Sequence, residues 1–468
     1  MGTLLGSLSI ALSALQADQT AVQVTTNNIA NANTPGYDRQ VPILEESYPM
    51  DIDGFVLGGG VSVASVQSMR DNVLNLRLNS ETQQQSSLNT YVSGMQQVEA
   101  IFNEASGVGL ASAIDGFFSS LQALSANPSD STLRQAVLDA GTTLAEGFNS
   151  ASTQLQQVQS GTNQDVTQTV QQINSLASQV AALNQQITSF QGVGEGTGDL
   201  VGQRDEVLSQ LSKLVGISTV TAADGSVTVS VAGGSPLVAG NQAFQLTTQA
   251  DPTTGMAQVY SQGANITAQI TGGSLGGDIQ LRDQEIPSLQ QSLDNLAASL
   301  ISNVNSANEQ GYDLNGNKGG AFFTPFTPSS SGSNQGAAAS MSMAITDPSL
   351  VAASSDGTVG SSGNLQNFAN VQTNNIIDGQ TVDSYYANFV GDIGSSISNA
   401  SAAATAAGLV VQQLQNQQSS ISGVSLDEEA ANLMKYQQAY EAAAEVVSAI
   451  NNLTDFVVDD MGAQASGT

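Results

Sequence analysis

Residues Leu155 to Phe190 read LQQVQSGTNQDVTQTVQQINSLASQVAALNQQITSF. Leu155, Val158, Val166, Val170, Ile173, Leu176, Val180, Leu183, Ile187 and Phe190 step mostly by three and four, the spacing of one face of an α-helix. At 1.5 Å per residue this predicts a rod about 50 Å long. Gly192 to Gly198 ends it as a turn into another helix, Asp199 to Leu214. The period then falls from 3.6 to 2. Val227, Val229 and Val231 alternate with Thr228 and Ser230 after an Asp224-Gly225 turn, and Gly233-Gly234, Asp251-Pro252 and Gly272-Gly273 mark further turns. Residues 215–277 are therefore expected to form a small antiparallel β domain inserted between helices.

Helix returns from Asp278 to Gln310, and residues 311–344 read as a loop-rich Gly/Ser segment. Asn127-Pro128-Ser129-Asp130 separates two helical stretches, with Ser129 or Asp130 as the N-cap of the second. Residues 67–214, 278–310 and 345–423 together predict a long helical domain. Near the N-terminus Leu8, Leu15, Val22 and Ile29 recur in sevens, with Leu5 and Leu12 at the intervening phase. Thr34-Pro35-Gly36 ends that helix, because the residue before proline avoids the α region and glycine permits a turn. The Pro- and Gly-punctuated residues 36–66 read as extended chain. After Ser422-Gly423 a last helix carries Leu433, Tyr436, Tyr440, Ala443, Val447, Ile450, Thr454 and Val457 at steps of three and four. Both ends of the chain, residues 1–66 and 424–468, are thus built around single-seam amphipathic helices, which are marginal alone in water and wait for a partner.

Composition narrows the chemistry. The 468 residues hold 40 acidic and 9 basic side chains, a net charge of -31, with no His, Cys or Trp. Triads built on His, thiolate zinc sites, the usual haem ligands and disulfides are excluded. The basic residues are scattered, so no patch suits nucleic acid or anionic lipid. No run of 18 apolar residues could span a membrane. Met1 to Ala17 is apolar, but the first basic residue is Arg39, so the positive start of a secretory signal is missing and the segment reads as a retained helix.

The remaining motifs have plain readings. Asp313-Leu314-Asn315-Gly316-Asn317 begins like a calcium loop, yet Lys318 and Thr324 stand where Gly and Glu are needed, so a tight turn is the better reading. Gly58-Gly59-Gly60 and Gly192 to Gly198 lack the partners of a phosphate loop. Asp427-Glu428-Glu429 at the start of the last helix complements the helix dipole. Carboxylates adjacent in sequence do not make the facing pair of a glycosidase. No metal, cofactor or catalytic residue is expected.

Two segments are more specific. Asn27 to Gln40 reads NNIANANTPGYDRQ and Ser422 to Ala444 reads SGVSLDEEAANLMKYQQAYEAAA. Together they closely resemble the terminal segments of bacterial flagellar axial proteins. YQQAY at Tyr436 to Tyr440, QRDEVLSQLSKLVGIS at Gln203 to Ser218, GGSLGGDIQLRD at Gly272 to Asp283 and YDLNGNKGGAFF at Tyr312 to Phe323 narrow the resemblance to the hook-associated proteins that join hook to filament. Two positions depart from that pattern, Asp38 for a more usual Ser and Gly202 for a more usual acid.

The resemblance implies a mainly α fold with a β insertion: an elongated helical bundle whose N- and C-terminal helices pair as a coiled coil on assembly. It implies an assembly motif of Asn28, Ile29, Ala30, Asn31, Thr34, Pro35, Gly36 and Tyr37. The seams would be Leu8, Leu15 and Val22 on the first helix, and Leu426, Leu433, Tyr436, Tyr440, Val447 and Ile450 on the last. The implied function is structural, not enzymatic: a subunit exported by the flagellar type III apparatus and self-assembling into an extracellular ring. Its partners would be the hook protein, the second hook-filament junction protein and an export chaperone on the C-terminal helix. A hook or rod subunit, or a secreted coiled-coil adhesin, is the alternative.

Overall fold

The computed structural model describes residues 2–34, 36–52, 55–103, 109–192, 196–329 and 332–465. The fold is mainly α-helical with small antiparallel sheets, the class expected from the two periods. The chain divides into two compact units, one of Met1–Gln83, Gln172–Leu246 and Ala407–Thr468, the other of Gln84–Gln171 and Thr247–Ala406.

In the first unit, α1 (Gly2–Asn31) is followed by β1 (Gln40–Glu46), β2 (Met50–Ile52), β3 (Phe55–Leu57) and β4 (Val61–Ser68). β1 and β4 pair antiparallel from Gln40 opposite Ser68 to Glu46 opposite Val61, with a register shift between Ile43 and Leu44, while β2 and β3 form a separate hairpin. The ribbon lies against α1. Gly60 takes a left-handed φ of +87° beside it, where a side chain would collide with Ser13 Oγ. The first residues of α2 (Asn72–Ile101) follow. α3 (Leu110–Ala126) and the start of α4 (Ser131–Gly192) belong to the second unit. The end of α4, α5 (Gly198–Leu214) and a four-stranded sheet return to the first.

That sheet runs β5 (Ile217–Thr221), β6 (Val227–Val231), β7 (Ser235–Ala239) and β8 (Gln242–Ala243), each antiparallel to the next. Val227, Val229 and Val231 are buried on one face, as the alternation requires. Asn184 on α4 is fully buried and fixes the sheet to the helix. Its Nδ2 donates to Val227 O and Gly240 O at 2.8 and 2.7 Å, and its Oδ1 accepts from Val227 N and Arg204 Nη1.

The pairing expected of the N- and C-terminal helices is present within one chain, where α1 packs against α11 (Leu426–Ala465). The buried apolar line on α1 is Ala11, Ala17, Ala21 and Val24, with Leu5 and Leu12 exposed. Small residues let the two helices approach, and the larger leucines flank the contact. The stripe was visible in sequence, but the helix that covers it lies more than 400 residues away.

The second unit holds β9 (Leu246–Ala250), β10 (Ala257–Ser261) and β11 (Ala264–Asn265) as one small sheet, Leu246 itself counting with the first unit. α6 (Gly273–Gln280) runs through a π-helical turn, Leu281–Glu285, into α7 (Ile286–Gln310). Then come α8 (Ala337–Ser340), α9 (Leu365–Thr373) and α10 (Val382–Ser422), whose last turns belong to the first unit. Asp130 Oδ1 accepts from Thr132 N and Leu133 N, capping α4.

This unit's core joins Met95, Phe117, Phe148, Leu300, Phe368 and Phe389 with their neighbours. The Gly/Ser-rich segment supplies part of it. Phe322 and Phe323 stack edge to face at 5.0 Å and are fully buried. Asn305 on α7 anchors them by accepting from both backbone N–H groups and donating to Phe323 O. Asp313 Oδ1 accepts from Asn315 N and Asn317 N at 2.8 Å, so its loop is closed by its own amides. Among the described residues no acidic group of three is placed to hold a metal ion, and no helix is long and apolar enough to cross a membrane.

Candidate assembly site

The turn after α1 is held by its own amides. Asn31 Nδ2 donates to Asn27 Oδ1 and O, Thr34 Oγ1 donates to Asn31 Oδ1, and Tyr37 N donates to Thr34 O. Gly36, at φ +75°, reverses the chain. Tyr37 and Gln40 are thereby carried back onto Asn28.

Asn28 is 1% exposed, and its amide makes all four bonds open to it. Nδ2 donates to Gln40 O at 2.8 Å and Glu429 Oε2 at 3.0 Å. Oδ1 accepts from Tyr37 Oη at 2.8 Å and Gln40 N at 2.9 Å. Glu429, equally buried, accepts on Oε1 from Arg39 Nε at 2.7 Å, and Arg39 Nη2 reaches Glu428 at 2.9 Å. Arg39 N also donates to Ser422 O. Burial alone would lower the Arg39 pKa, but the two glutamates outweigh it and hold it above its ordinary value. Burial, then the charges of Asp199, Glu429 and Asp38, push the Tyr37 phenol up to about 12, so it stays a donor. The site is a satisfied buried polar knot between the first and last segments of the chain.

Asp38 and Arg39 point to different partners. Asp38 pairs with Arg70 at 2.7 Å, and Arg70 also reaches Asp205 at 3.4 Å and Gly198 O at 3.3 Å on α5. Burial raises the pKa of both acids against the pull of Arg70. A Cβ on Gly202 would lie 2.8 Å from Gly36 O and 3.9 Å from Arg70 Nη2. Both positions that depart from the family pattern, 38 and 202, therefore meet at Arg70.

Of the expected motif residues, Asn28, Asn31, Thr34, Gly36 and Tyr37 build this turn and knot, Ile29 is half-buried beside it, Ala30 is exposed, and Pro35 lies outside the described residues. Of the expected seam residues, Leu8, Leu15, Val22, Leu433, Tyr436 and Val447 are half-buried and Ile450 is buried, whereas Leu426 and Tyr440 are exposed. Pairing leaves large apolar side chains uncovered on both helices: Leu5, Leu12, Met434, Val446, Leu453 and Phe456, the last 70% exposed. Sequence reasoning missed Arg39, Gln40, Arg70 and Glu429. The available signal was scarcity, since two of only nine cations stand at 39 and 70.

Comparison with known proteins separates the axial classes. The model of the flagellar hook-associated protein FlgK helical domain matches residues 95–323. The flagella basal body rod protein model matches 8–37, and the C-terminal model of the rod FlgEFG proteins matches 415–459. These two rod-type matches fall at the ends of the chain and take in Asn28, Tyr37 and Glu429 of the knot. Flagellar hook-associated protein 1 of Salmonella typhimurium is 30% identical, covering 96% of this chain and 98% of the relative, and that of Bacillus subtilis is 31% identical over 97% and 98%. The solved flagellar hook junction protein FlgK from Burkholderia pseudomallei shares the fold, with a TM-score of 0.66 at 22% identity over 74% of this chain and 100% of that one. Near-complete coverage at this identity, with the helical-domain model in the middle and the rod-type models at the ends, means that the chain belongs to the flagellar hook-associated protein 1 (FlgK) family.

Proposed function

We propose that the chain is a structural subunit of the junction between hook and filament, exported by the flagellar type III apparatus and working outside the cell as a self-assembled ring. The carrying observation is the α1–α11 pair. Its internal register is fixed by the buried knot, yet both helices keep exposed apolar side chains, among them Leu12, Leu453 and Phe456. Paired helices with such side chains suit repeated packing on further copies and on neighbouring axial proteins. Hook protein on one side and the second junction protein on the other are the proposed neighbours, with an export chaperone covering α11 beforehand.

Complementation tests the reading. In cells lacking their own junction subunit, this chain restores filaments on hooks, seen by electron microscopy. Filament growth restored equally by a chain with residues 424–468 deleted would contradict it.

A further inference from the structure

Three of the chain's nine cations, Arg70, Arg204 and Lys213, line one cavity of about 600 Å³ in the first unit. Arg70 has acids to answer it, Asp38 at 2.7 Å and Asp205 at 3.4 Å. Arg204 is placed differently. It is 3% exposed, yet its hydrogen bonds go to neutral oxygens, from Nη1 to Asn184 Oδ1 at 3.2 Å and to Gly225 O at 2.6 Å. Among the described residues no ion pair within 4.0 Å includes it. Burial lowers its pKa against the pull of Asp205, and Arg70 lowers it further. A buried cation normally has a close counter-charge.

Three buried side-chain nitrogens among the described residues have no hydrogen-bond partner, and two of them are Arg70 Nε and Arg204 Nε. Buried donors are rarely left so, because the lost hydration is not returned. Much of the remaining wall is amide. Asn72, Asn75 and Asn79 share one face of α2 at steps of three and four, and Gln415 and Gln418 share one of α10. Gln418 Nε2 donates to Asn75 Oδ1 at 2.8 Å, which ties the two faces together. Such walls match hydroxyl groups, which both donate and accept. Asp38, Asp205 and Glu206 on the same cavity oppose a multiply charged anion.

We propose that this cavity binds a small hydroxyl-rich monocarboxylate, of the sugar-acid class, whose carboxylate meets the Arg204 guanidinium and whose hydroxyls meet the amide faces of α2 and α10. Arg204 Nε is closed to solvent, so binding turns the guanidinium to present that N–H. A guanidinium then matches a carboxylate with two parallel N–H···O bonds. The volume falls within the range of small-molecule sites, about 300–1,000 Å³. The site rests on the packing of the first unit and is independent of the junction reading.

The test is calorimetric titration of the full chain with glucuronate, glucose, acetate and phosphate, together with NMR of the arginine Nε–H groups, of which the chain has six. Glucuronate should bind about tenfold or more tighter than each of the other three and should shift the Arg204 Nε–H signal. Ser209→Tyr, which crowds the cavity from α5, and Arg204→Gln, which removes the charge, should each weaken glucuronate about tenfold or more. Equal binding of glucose or acetate, tighter binding of phosphate, an unmoved Arg204 signal, or no glucuronate binding at about 20 mM overturns the proposal. Should either variant fail to fold, the wild-type titrations and spectrum decide.

Discussion

Asn28 Nδ2 donates to Glu429 Oε2 at 3.0 Å across 401 positions of sequence, and each of the two residues is 1% exposed. Asn28 also takes both backbone groups of Gln40, so one amide starts the β1 strand and anchors the last helix.

Asn28→Asp keeps the shape but replaces both donors by oxygen and sets a second carboxylate beside Glu429. Breaking a buried charged network of this kind costs about 3–5 kcal/mol. Urea unfolding should report that loss, and hydrogen exchange should place it in 2–31 and 426–465. Adding Glu429→Gln should recover part of it by returning a donor, and an unchanged loss in the double variant would argue against direct contact.

Tyr37→Phe removes the hydroxyl donor to Asn28 Oδ1, which keeps its bond from Gln40 N. The expected cost is about 1 kcal/mol at neutral pH. Because the folded phenol titrates near 12 rather than 10, its stabilisation is full below pH 10 and is lost as pH rises toward 12. Tyr37→Phe should remove that alkaline loss from exchange in α1. The loss attached to Tyr91, also pushed to about 12, first by burial and then by Glu285, should persist in the other unit.

Two helical glycines should respond oppositely to alanine. Gly116 on α3 has nothing within 4 Å of an added Cβ, so Gly116→Ala should stabilise by about 0.5–1 kcal/mol through helix propensity. Gly202→Ala meets Gly36 O at 2.8 Å, and the overpacking, about 1–3 kcal/mol, should outweigh the same gain. Thermal melting of both variants checks the sign.

Asn305→Ala should cost about 2–4 kcal/mol, because Phe322 N, Phe323 N and Phe323 O lose their partner inside the core. The loss should appear as faster exchange in 311–345 and reduced fluorescence anisotropy of a probe attached there.

Asn28, Asn184 and Asn305 also show where sequence reasoning stopped. The period of α4 and the valine alternation of β6 are local signals, and they read through; the three-four stripe of α11 is local too, with Ile450 buried and Tyr440 exposed. An asparagine on a helix that bonds the backbone of a distant loop leaves no such period. The excess of amides was visible in the composition, but not which of them were fasteners. Glu429 had a sufficient local explanation in the helix dipole, which hid its partnership with Asn28 and Arg39. Phe322 and Phe323 were masked by the Gly and Ser around them. The change of unit inside β9 occurs with no shift in composition, because the turn-strand pattern continues through it.

On the proposed reading, the uncovered apolar side chains of the α1–α11 pair carry assembly while the contact between the helices holds the pair together. Phe456 is 70% exposed, so Phe456→Asp should leave the melting curve of the free chain within about 0.5 kcal/mol of wild type. The decisive measurement is binding of purified wild type and Phe456→Asp to isolated hook ends, counted by electron microscopy after filament regrowth. The account predicts that the wild type caps hooks and supports regrowth whereas Phe456→Asp, equally folded, does neither. Equal regrowth with both proteins would contradict it.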